Sequence, residues 1–172
     1  KLKSRTDLIN YAKKHGIPIP KDKKGAPPFS VDDNIFHTST EGKVLENPKN
    51  SAPEFIFQRT VSPERAPNKS TKVKITFKNS DPTAVNGKKL SPEKILEKLN
   101  ILAGKNGIGR VDLVENRFIG IKSRGVYETP GGTLLYVAHR AIESVTLDKK
   151  TSHEKERIMA EYAELVLSLI HI

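Results

Sequence analysis

Helical and strand patterns occupy separate stretches of this chain. Of all its sequence features, this separation most restricts the folds that the chain can adopt. Helical periodicity, with apolar positions three and four residues apart, is predicted to begin at Ser4, at Ser91, at Thr129 and near Thr151. Between the first two helices the apolar residues alternate instead, as in Val73 to Phe77, which is typical of a half-buried strand. Because helices and strands do not alternate regularly, the sequence predicts an α+β fold and not a doubly wound parallel sheet.

Local signals predict several element boundaries. Ser91 is a preferred N-cap residue, and Pro92 suits the first helical position because its missing N–H would have no partner there. Asn86-Gly87 predicts a tight hairpin turn, since both residues tolerate positive φ angles. The fourth helix is expected to start near Thr151-Ser152 and to bury an apolar stripe. That stripe consists of Ile158, Met159, Tyr162, Ala163, Leu165 and Val166.

Composition excludes several classes of protein. The 172 residues include no cysteine, so neither a disulfide framework nor a thiolate zinc cluster can hold the fold. No charged-then-apolar leader opens the chain, and no apolar run approaches the roughly 20 residues that span a bilayer. We therefore expect a cytoplasmic protein without a membrane partner.

The formal net charge of +10 predicts anionic partners, a class that includes nucleic acids, acidic lipids and small anionic substrates. The lysines, however, form short groups that are interleaved with acids, and there is no tryptophan to stack on bases. We interpret most of them as solvated faces and expect no nucleic-acid partner. A basic nucleic-acid-binding module is the alternative function.

The segment GRVDLVENRFIGIK, from Gly109 to Lys122, carries two charges in an apolar row. If it is one extended strand, Glu115 and Arg117 lie on a face that is otherwise apolar. An unpaired buried charge is strongly unfavourable, so Glu115 is expected to meet either Arg117 or a cationic group of a ligand. The residues alone leave both possibilities open.

A polar stretch follows, from Lys122 to Gly132, and is predicted to be a loop that leads into the third helix. Thr129 is a possible cap, and the free N–H groups of a helix start attract polar groups. Tyr127 would then lie where a small polar ligand docks. The alternative is a plain helix entry in which the tyrosine ring only packs.

A resemblance to one enzyme family covers most of the chain from Arg5 to Val166. VENRFIGIKSRGVYETPGGTLLY, followed by AHRAIESVTLD, resembles argininosuccinate synthases nearly position by position. SRTDLINYAKKHGIPIP (Ser4 to Pro20) is similar to the helix that leads out of that family's nucleotide domain. FSVDDNIFHTSTEGKVLENP (Phe29 to Pro48) is similar to its serine-bearing segment, and LSPEKILEKLNILAGKNGIGRVDLVENR also matches.

The resemblance implies a binding site. Ser30 and Ser39, in the pattern S-x-D-x-N-x-x-H-x-S, would bind citrulline together with Glu115 in V-E-N-R and Tyr127 in G-V-Y-E-T-P. These four residues would position the substrate without taking protons. No catalytic residue and no metal ligand is expected in this chain.

The resemblance also implies a reaction, the condensation of citrulline and aspartate to argininosuccinate in arginine biosynthesis. It would run through a citrullyl-adenylate and release AMP and pyrophosphate. ATP, together with Mg²⁺, would bind to the family's N-terminal nucleotide domain, and the complete enzyme would be a homotetramer.

Some features of the family pattern are missing or altered. The glycine-rich S-G-G-x-D-T-S loop that holds ATP phosphates is absent, so the chain alone is expected to be inactive. The segment from Gly104 to Gly109 has glycines without the lysine-serine ending of a phosphate loop. Thr40 stands where the family usually has tyrosine, and Lys43 where a small residue is common. A non-catalytic relative with the same fold is a further alternative.

The expected domain organisation has three parts. Residues 1–20 would end the nucleotide-binding domain and form a linker helix. Residues 21–166 would form a partial synthetase domain that binds citrulline and multimerises, without the N-terminal α/β nucleotide-binding domain. Residues 167–172, LSLIHI, look like the translation of a sequencing adapter and are expected not to be native.

Overall fold

The computed structural model describes residues 5–19, 29–117 and 119–169, and these residues have the α+β fold that the sequence predicts. Four α-helices and two antiparallel sheets make up this part of the chain. The helices are α1 (Arg5–Lys14), α2 (Pro92–Lys105), α3 (Pro130–Thr146) and α4 (Lys149–Ser168). The strands are β1 (Ser30–Asp33), β2 (Thr38–Glu41), β3 (Ile75–Lys78), β4 (Asp81–Val85), β5 (Lys88–Lys89), β6 (Arg110–Asn116) and β7 (Lys122–Glu128). The predictions for Ser4, for residues 20–28 and for residues 170–172 lie outside the described residues.

The larger sheet has the strand order β1-β2-β7-β6, with every neighbouring pair antiparallel. Strand β7 is central, because it pairs with β2 on one side and with β6 on the other. The register places Ser39 of β2 opposite Tyr127 of β7. On the other side it places Glu115 of β6 opposite Ser123 of β7.

Gly109 to Lys122 do not form the single extended strand that the sequence analysis considered. Strand β6 ends at Asn116, and the chain turns back after it. The amide of Gly120 donates to the Arg117 carbonyl at 2.7 Å, and the amide of Arg117 donates to the Ile121 carbonyl at 2.8 Å. Gly120 takes a φ of 83°, a left-handed conformation that glycine adopts without steric cost.

The prediction that Lys122 to Glu128 is a polar loop is also wrong, because this segment is strand β7. Its polar side chains hid the strand. Arg124 and Glu128 point to the same face as the buried Val126, and both are satisfied by partners far away in the sequence. Buried polar groups are tolerated in a strand when they are hydrogen-bonded in this way.

One face of the larger sheet is covered by its own core. Val126 is 2% exposed and packs with the buried Leu45 and Ile56. Glu128, also 2% exposed, holds the covering segment in place by accepting the backbone N–H groups of residues 58, 59 and 60 at 2.8, 3.0 and 2.9 Å. The opposite face, which carries Tyr127, belongs to the candidate site described below.

The smaller sheet, β3-β4-β5, packs on α2 around Val85, Ile95 and Leu99, which are all fully buried. The tight turn predicted at Asn86-Gly87 is confirmed between β4 and β5, with φ angles of 51° and 78°. Helix α2 begins at Pro92 after Ser91, as predicted. The Ser91 hydroxyl bonds to the Glu93 carboxylate and not to a backbone amide of the first turn.

The predicted start of the fourth helix near Thr151-Ser152 is two residues too late. Helix α4 begins at Lys149, because Asp148 is the N-cap and accepts the amides of Lys150 and Thr151 at 2.9 and 3.2 Å.

The expected burial of the α4 stripe is contradicted as well. Ile158 and Met159 are each 44% exposed and Tyr162 is 66% exposed. Two ion pairs join α4 to α3, from Arg140 to Glu156 and from Lys155 to Glu143, and such pairs do not cover an apolar stripe. None of the described helices has the length and apolar character needed to cross a membrane.

Candidate functional site

Four predicted site residues share one face of the larger sheet. Residues directly opposite each other on neighbouring strands, and residues two apart on one strand, point to the same side. Ser39 lies opposite Tyr127, and Asp32, two residues from Ser30, lies opposite Ser39. Glu115 lies opposite Ser123, which is four residues from Tyr127 on β7. The structure therefore brings Ser30, Ser39, Glu115 and Tyr127 to the same side of the sheet.

The closest contact within this set joins Tyr127 and Glu115. The Tyr127 hydroxyl donates to Oε1 of Glu115 at 2.6 Å. Burial, and then the hydrogen bond to Glu115, raises the pKa of Tyr127 to about 12. The phenol is therefore protonated at neutral pH and acts as a hydrogen-bond donor to the carboxylate.

The ring of Tyr127 lies along its own strand. A Cβ atom at Gly125 would lie 2.5 Å from Cε2 and 2.7 Å from the hydroxyl oxygen of Tyr127. The ring therefore occupies the space that a side chain at position 125 would fill. This placement carries the hydroxyl past Gly125 towards the pair of Ser123 and Glu115.

Arg117 does not provide the ion-pair partner that the sequence offered for Glu115. Its guanidinium donates to Oε2 of Glu41 at 2.6 Å and to the hydroxyl of Ser123 at 3.2 Å. The hydrogen bond and the charge of Glu41 raise the pKa of Arg117. Arg117 follows the end of β6, and its backbone exchanges hydrogen bonds with Gly120 and Ile121 where the chain turns back.

The charges on this part of the face do not cancel. Glu41 and Glu115 each carry one negative charge, and Arg117 carries one positive charge. Glu41 takes the guanidinium, while Glu115 takes only the neutral phenol of Tyr127. The cluster of these residues thus has a net charge of −1 and can accept one cationic group through Glu115.

The two serines have different surroundings. Ser39 is 6% exposed on β2, whereas Ser30 is exposed on the edge strand β1.

A polar cavity of about 300 Å³ lies beside Ser30, between β1, β2 and β7. It is lined by Ser30, Glu41, Gly42, Glu46, Lys122, Ser123 and Arg124. A second cavity, of about 460 Å³, is lined by Glu115, Asn116, Arg117, Leu167 and Ser168. The ion pair of Arg117 with Glu41 joins the walls of the two cavities.

The imidazole of His37 also approaches the site. Its ring centroid lies 6.2 Å from that of Tyr127, and its Nδ1 atom lies 3.4 Å from Nδ2 of Asn34. The Asn34 side chain also accepts the backbone amide of His37 at 3.0 Å. His37 is therefore a local hydrogen-bonding residue in the turn that leads from β1 into β2.

The start of α3 does not present the free N–H groups that the sequence predicted for ligand binding. The amide of Gly131 donates to the side chain of Asn100 on α2 at 2.9 Å. A Cβ atom at Gly132 would lie 2.8 Å from Cζ of Phe36, so this glycine is packed against a ring. Thr129 precedes the helix without a side-chain capping bond. The helix start serves packing against α2 and Phe36, because protein groups already occupy it.

The segment from Gly104 to Gly109 does not fit ATP phosphates. A Cβ atom at Gly104 would clash with the Arg59 carbonyl oxygen, and one at Gly109 would lie 2.6 Å from Cα of Pro130. These glycines allow close approach of the chain's own backbone, so their N–H groups do not line a phosphate cradle. Within the described residues there is also no group of three His, Asp or Glu side chains that could hold a metal ion.

The two departures from the family pattern lie away from the site face. Thr40 is 3% exposed and lies opposite Val126, on the covered side of the sheet. Lys43 takes a left-handed φ of 54°, and its ammonium lies 4.8 Å from the ring centroid of Phe29. Glycine adopts that backbone conformation more readily than lysine does, which explains why a small residue is common at this position in the family.

The sequence analysis missed Glu41 and Gly125 on this face, and it considered Arg117 only as a partner of Glu115. Glu41 and Arg117 supply the charge balance, and Gly125 supplies the space for the Tyr127 ring. The alternation of Ser123, Gly125 and Tyr127 was a usable signal, since it has the period of a strand. No local signal linked Glu41 to Arg117.

Comparison with known proteins gives consistent matches to one family. Residues 29–171 match the family model described as the arginosuccinate synthase C-terminal domain. The chain is 80% identical over 166 residues to an argininosuccinate synthase of Pelagibacter ubique, a match that covers 96% of this chain and 42% of the relative. It is 63% identical over 165 residues to the argininosuccinate synthase of Mesorhizobium japonicum, covering 96% of this chain and 40% of the relative.

The argininosuccinate synthase of Brucella canis is 59% identical over 165 residues, with 96% of this chain and 41% of the relative covered. The chain thus spans about two fifths of the length of the curated relatives that it matches. None of these three relatives is named as a nucleic-acid-binding protein. The matched segment and the high identity across nearly the whole chain establish that it belongs to the argininosuccinate synthase family, as part of that family's C-terminal domain.

Proposed function

We propose that this chain forms the citrulline-binding face of an argininosuccinate synthase, which condenses citrulline and aspartate with ATP to give argininosuccinate, AMP and pyrophosphate. The observation that carries the proposal is the carboxylate of Glu115, which accepts the Tyr127 hydroxyl at 2.6 Å and forms no ion pair among the described contacts. The nearby Arg117 acts on Glu115 through its charge, but its ion pair is with Glu41. The α-ammonium group of citrulline is a cation of the size and charge that this carboxylate accepts.

The hydroxyl groups on the same face support the proposal. Citrulline carries a carboxylate and a ureido group as well as its ammonium, and hydroxyls can donate to the first and exchange hydrogen bonds with the second. Ser30 and Ser39 lie on the side of the sheet that carries Glu115. Ser39 is two strands away from Glu115, and Ser30 is three strands away. Contacts at both places would fix the orientation of one extended amino acid along the sheet.

In this proposal the four residues bind and orient citrulline and transfer no proton. A phenol with a pKa of about 12 is a poor proton acceptor at neutral pH, and the serines have no His partner described beside them. Orientation by itself supplies a large part of the rate of a bimolecular condensation. ATP and Mg²⁺ would bind to the family's nucleotide domain, since the glycine-rich segment from Gly104 to Gly109 packs against the chain's own backbone. The segments that resemble the family's aspartate site are also absent from this sequence.

The proposal includes the organisation of the protein. Residues 1–20 would connect to a nucleotide-binding domain, and residues 21–166 would bind citrulline and multimerise in a cytoplasmic homotetramer. The exposed apolar stripe of α4 supports multimerisation, since such stripes are usually covered in a mature assembly. Residues 167–172 are proposed to be adapter-derived, and codons other than those of the adapter in the source DNA would refute that part.

The test measures citrulline binding by calorimetry in a full-length protein that carries this sequence. Glu115→Gln removes the charge but keeps the shape, and it is expected to weaken binding by tenfold or more, because hydrogen bonds to charged groups contribute about 1.5–3 kcal/mol. Glu97→Gln is the matched control, since Glu97 pairs with Lys94 on the exposed surface of α2. Unchanged affinity in Glu115→Gln would refute the proposal.

Product formation is measured in the same preparation. Release of AMP that depends on both amino acids supports the complete reaction. Citrulline binding without AMP release would indicate a non-catalytic relative.

A further inference from the structure

We infer that Gly125 is a positioning residue, which lets the Tyr127 ring lie along β7 so that its hydroxyl holds one oxygen of Glu115 and leaves the other free for a ligand's cationic group. The inference rests on the proposed function for the identity of that ligand. It assigns a role to a residue that touches neither the ligand's charge nor the carboxylate.

The first step is steric. The register places Gly125 opposite Leu113 and Ser123 opposite Glu115. To meet Glu115, the Tyr127 side chain must therefore reach back along its own strand, past Gly125 and towards Ser123. The route passes directly over Gly125, where a Cβ atom would lie 2.5, 2.7 and 2.8 Å from three atoms of the phenol ring and hydroxyl. Carbon atoms do not approach each other that closely, so any side chain at position 125 displaces the ring.

The second step concerns the backbone. Gly125 lies within the extended strand β7 and is absent from the residues with a positive φ angle. Alanine can therefore adopt the conformation of Gly125 without strain. The requirement for glycine comes from the space above the strand and not from the main chain.

The third step is chemical. A carboxylate has two oxygens and accepts several hydrogen bonds. Tyr127 engages Oε1 of Glu115, which fixes the plane of the carboxylate and directs Oε2 away from the phenol. When the ring is displaced, Glu115 regains rotational freedom and becomes available to Arg117, whose charge already acts on the same cluster.

The experiment is a double-mutant cycle in a full-length protein that carries this sequence, with steady-state kinetics against citrulline. Gly125→Ala and Tyr127→Phe are each expected to raise KM by about tenfold while kcat changes little, since Glu115 is then no longer held in place for the ligand and can turn towards Arg117. The double variant is expected to be no worse than either single variant, because both remove the same contact.

The matched control is Gly132→Ala. It also crowds an aromatic ring, that of the half-exposed Phe36, which packs on the start of α3 together with the Thr129 side chain. KM is expected to stay at the wild-type value in this variant. Additive effects of Gly125→Ala and Tyr127→Phe, or an unchanged KM in Gly125→Ala, would overturn the inference.

A second readout separates this inference from the proposed function. With tyrosine labelled at Cζ, the NMR signal of Tyr127 should respond to Glu115→Gln in the wild-type background and not in the Gly125→Ala background, without any substrate. Loss of that response in Gly125→Ala supports the inference, whether or not citrulline binds. A failure of citrulline to bind refutes only the proposed function. Persistence of the response with normal citrulline binding refutes only the inference.

Discussion

Arg124 and Asp112 form a fork of two parallel hydrogen bonds across the β6–β7 hairpin, with Nε and NH2 of the guanidinium each 2.8 Å from a carboxylate oxygen. The same guanidinium donates to the carbonyl oxygens of Leu45 and Asn47 at 3.2 and 3.1 Å. It therefore joins the hairpin to the segment that covers the sheet.

This fork predicts a pH dependence of stability. The hydrogen bonds of Arg124 lower the pKa of Asp112 below its ordinary value of 3.8. A carboxyl whose pKa is lower in the folded state stabilises the protein above its unfolded pKa, and the contribution is lost as pH falls through the folded pKa. Urea denaturation midpoints should therefore fall below about pH 4, and less so in Asp112→Asn. An identical acid slope in the variant would contradict the assignment.

Glu128 is expected to be a stability residue and not a ligand residue. Glu128→Gln replaces one acceptor oxygen by an NH₂ group that faces backbone N–H groups, and it should lower the free energy of unfolding by about 1–3 kcal/mol. Chemical denaturation measures the change. Glu156→Gln, at a half-exposed ion pair on α4, is the control and should change stability by less than about 1 kcal/mol.

The charge balance around Glu115 predicts a rescue. Glu41→Gln frees Arg117 to pair with Glu115, so the net charge of the cluster becomes zero and citrulline affinity should fall by about tenfold. The double variant Glu41→Gln with Arg117→Gln restores a net charge of −1 and should recover most of the affinity. Calorimetry measures both steps. A double variant that binds more weakly than Glu41→Gln alone would show that Arg117 contributes to binding by another route.

Two helix caps should differ in their energetic contribution. Asp148 accepts two backbone amides at the start of α4, so Asp148→Ala should destabilise that helix by about 1 kcal/mol. Ser91 makes no such bond at the start of α2, and Ser91→Ala should change stability by less than about 0.5 kcal/mol. Amide hydrogen exchange in the first turns of α2 and α4 checks both expectations. Equal effects at the two caps would contradict the structural assignment.

Features set by neighbouring residues were predicted well from the sequence. The start of α2 at Pro92 and the turn at Asn86-Gly87 depend on the conformational preferences of the residues themselves. Strand β7 was missed because its polarity is compensated from a distance, through Asp112 for Arg124 and through residues 58–60 for Glu128. Local patterns carry no information about such partners.

The residues of the candidate site also fall into two groups, those that the sequence predicted and those that only the structure shows. Ser30, Ser39, Glu115 and Tyr127 were predicted by family resemblance, and the structure brings them to one face. That they share it depends on the pairing of β2 with β7, which joins distant parts of the chain. The contributions of Glu41, Arg117 and Gly125 follow only from that pairing and from the turn after Asn116.

The alternation of β7 has a consequence for altering this protein. Positions 124, 126 and 128 face the covered side of the sheet, whereas positions 123, 125 and 127 face the other side. Substitutions at the odd-numbered positions should therefore change ligand binding, and substitutions at the even-numbered positions should change the stability of the fold. Insertion of a single residue within the strand would exchange the two sets, sending Glu128 into solvent and Tyr127 into the packed layer. Replacements that preserve the length of β7 keep this division between its two faces.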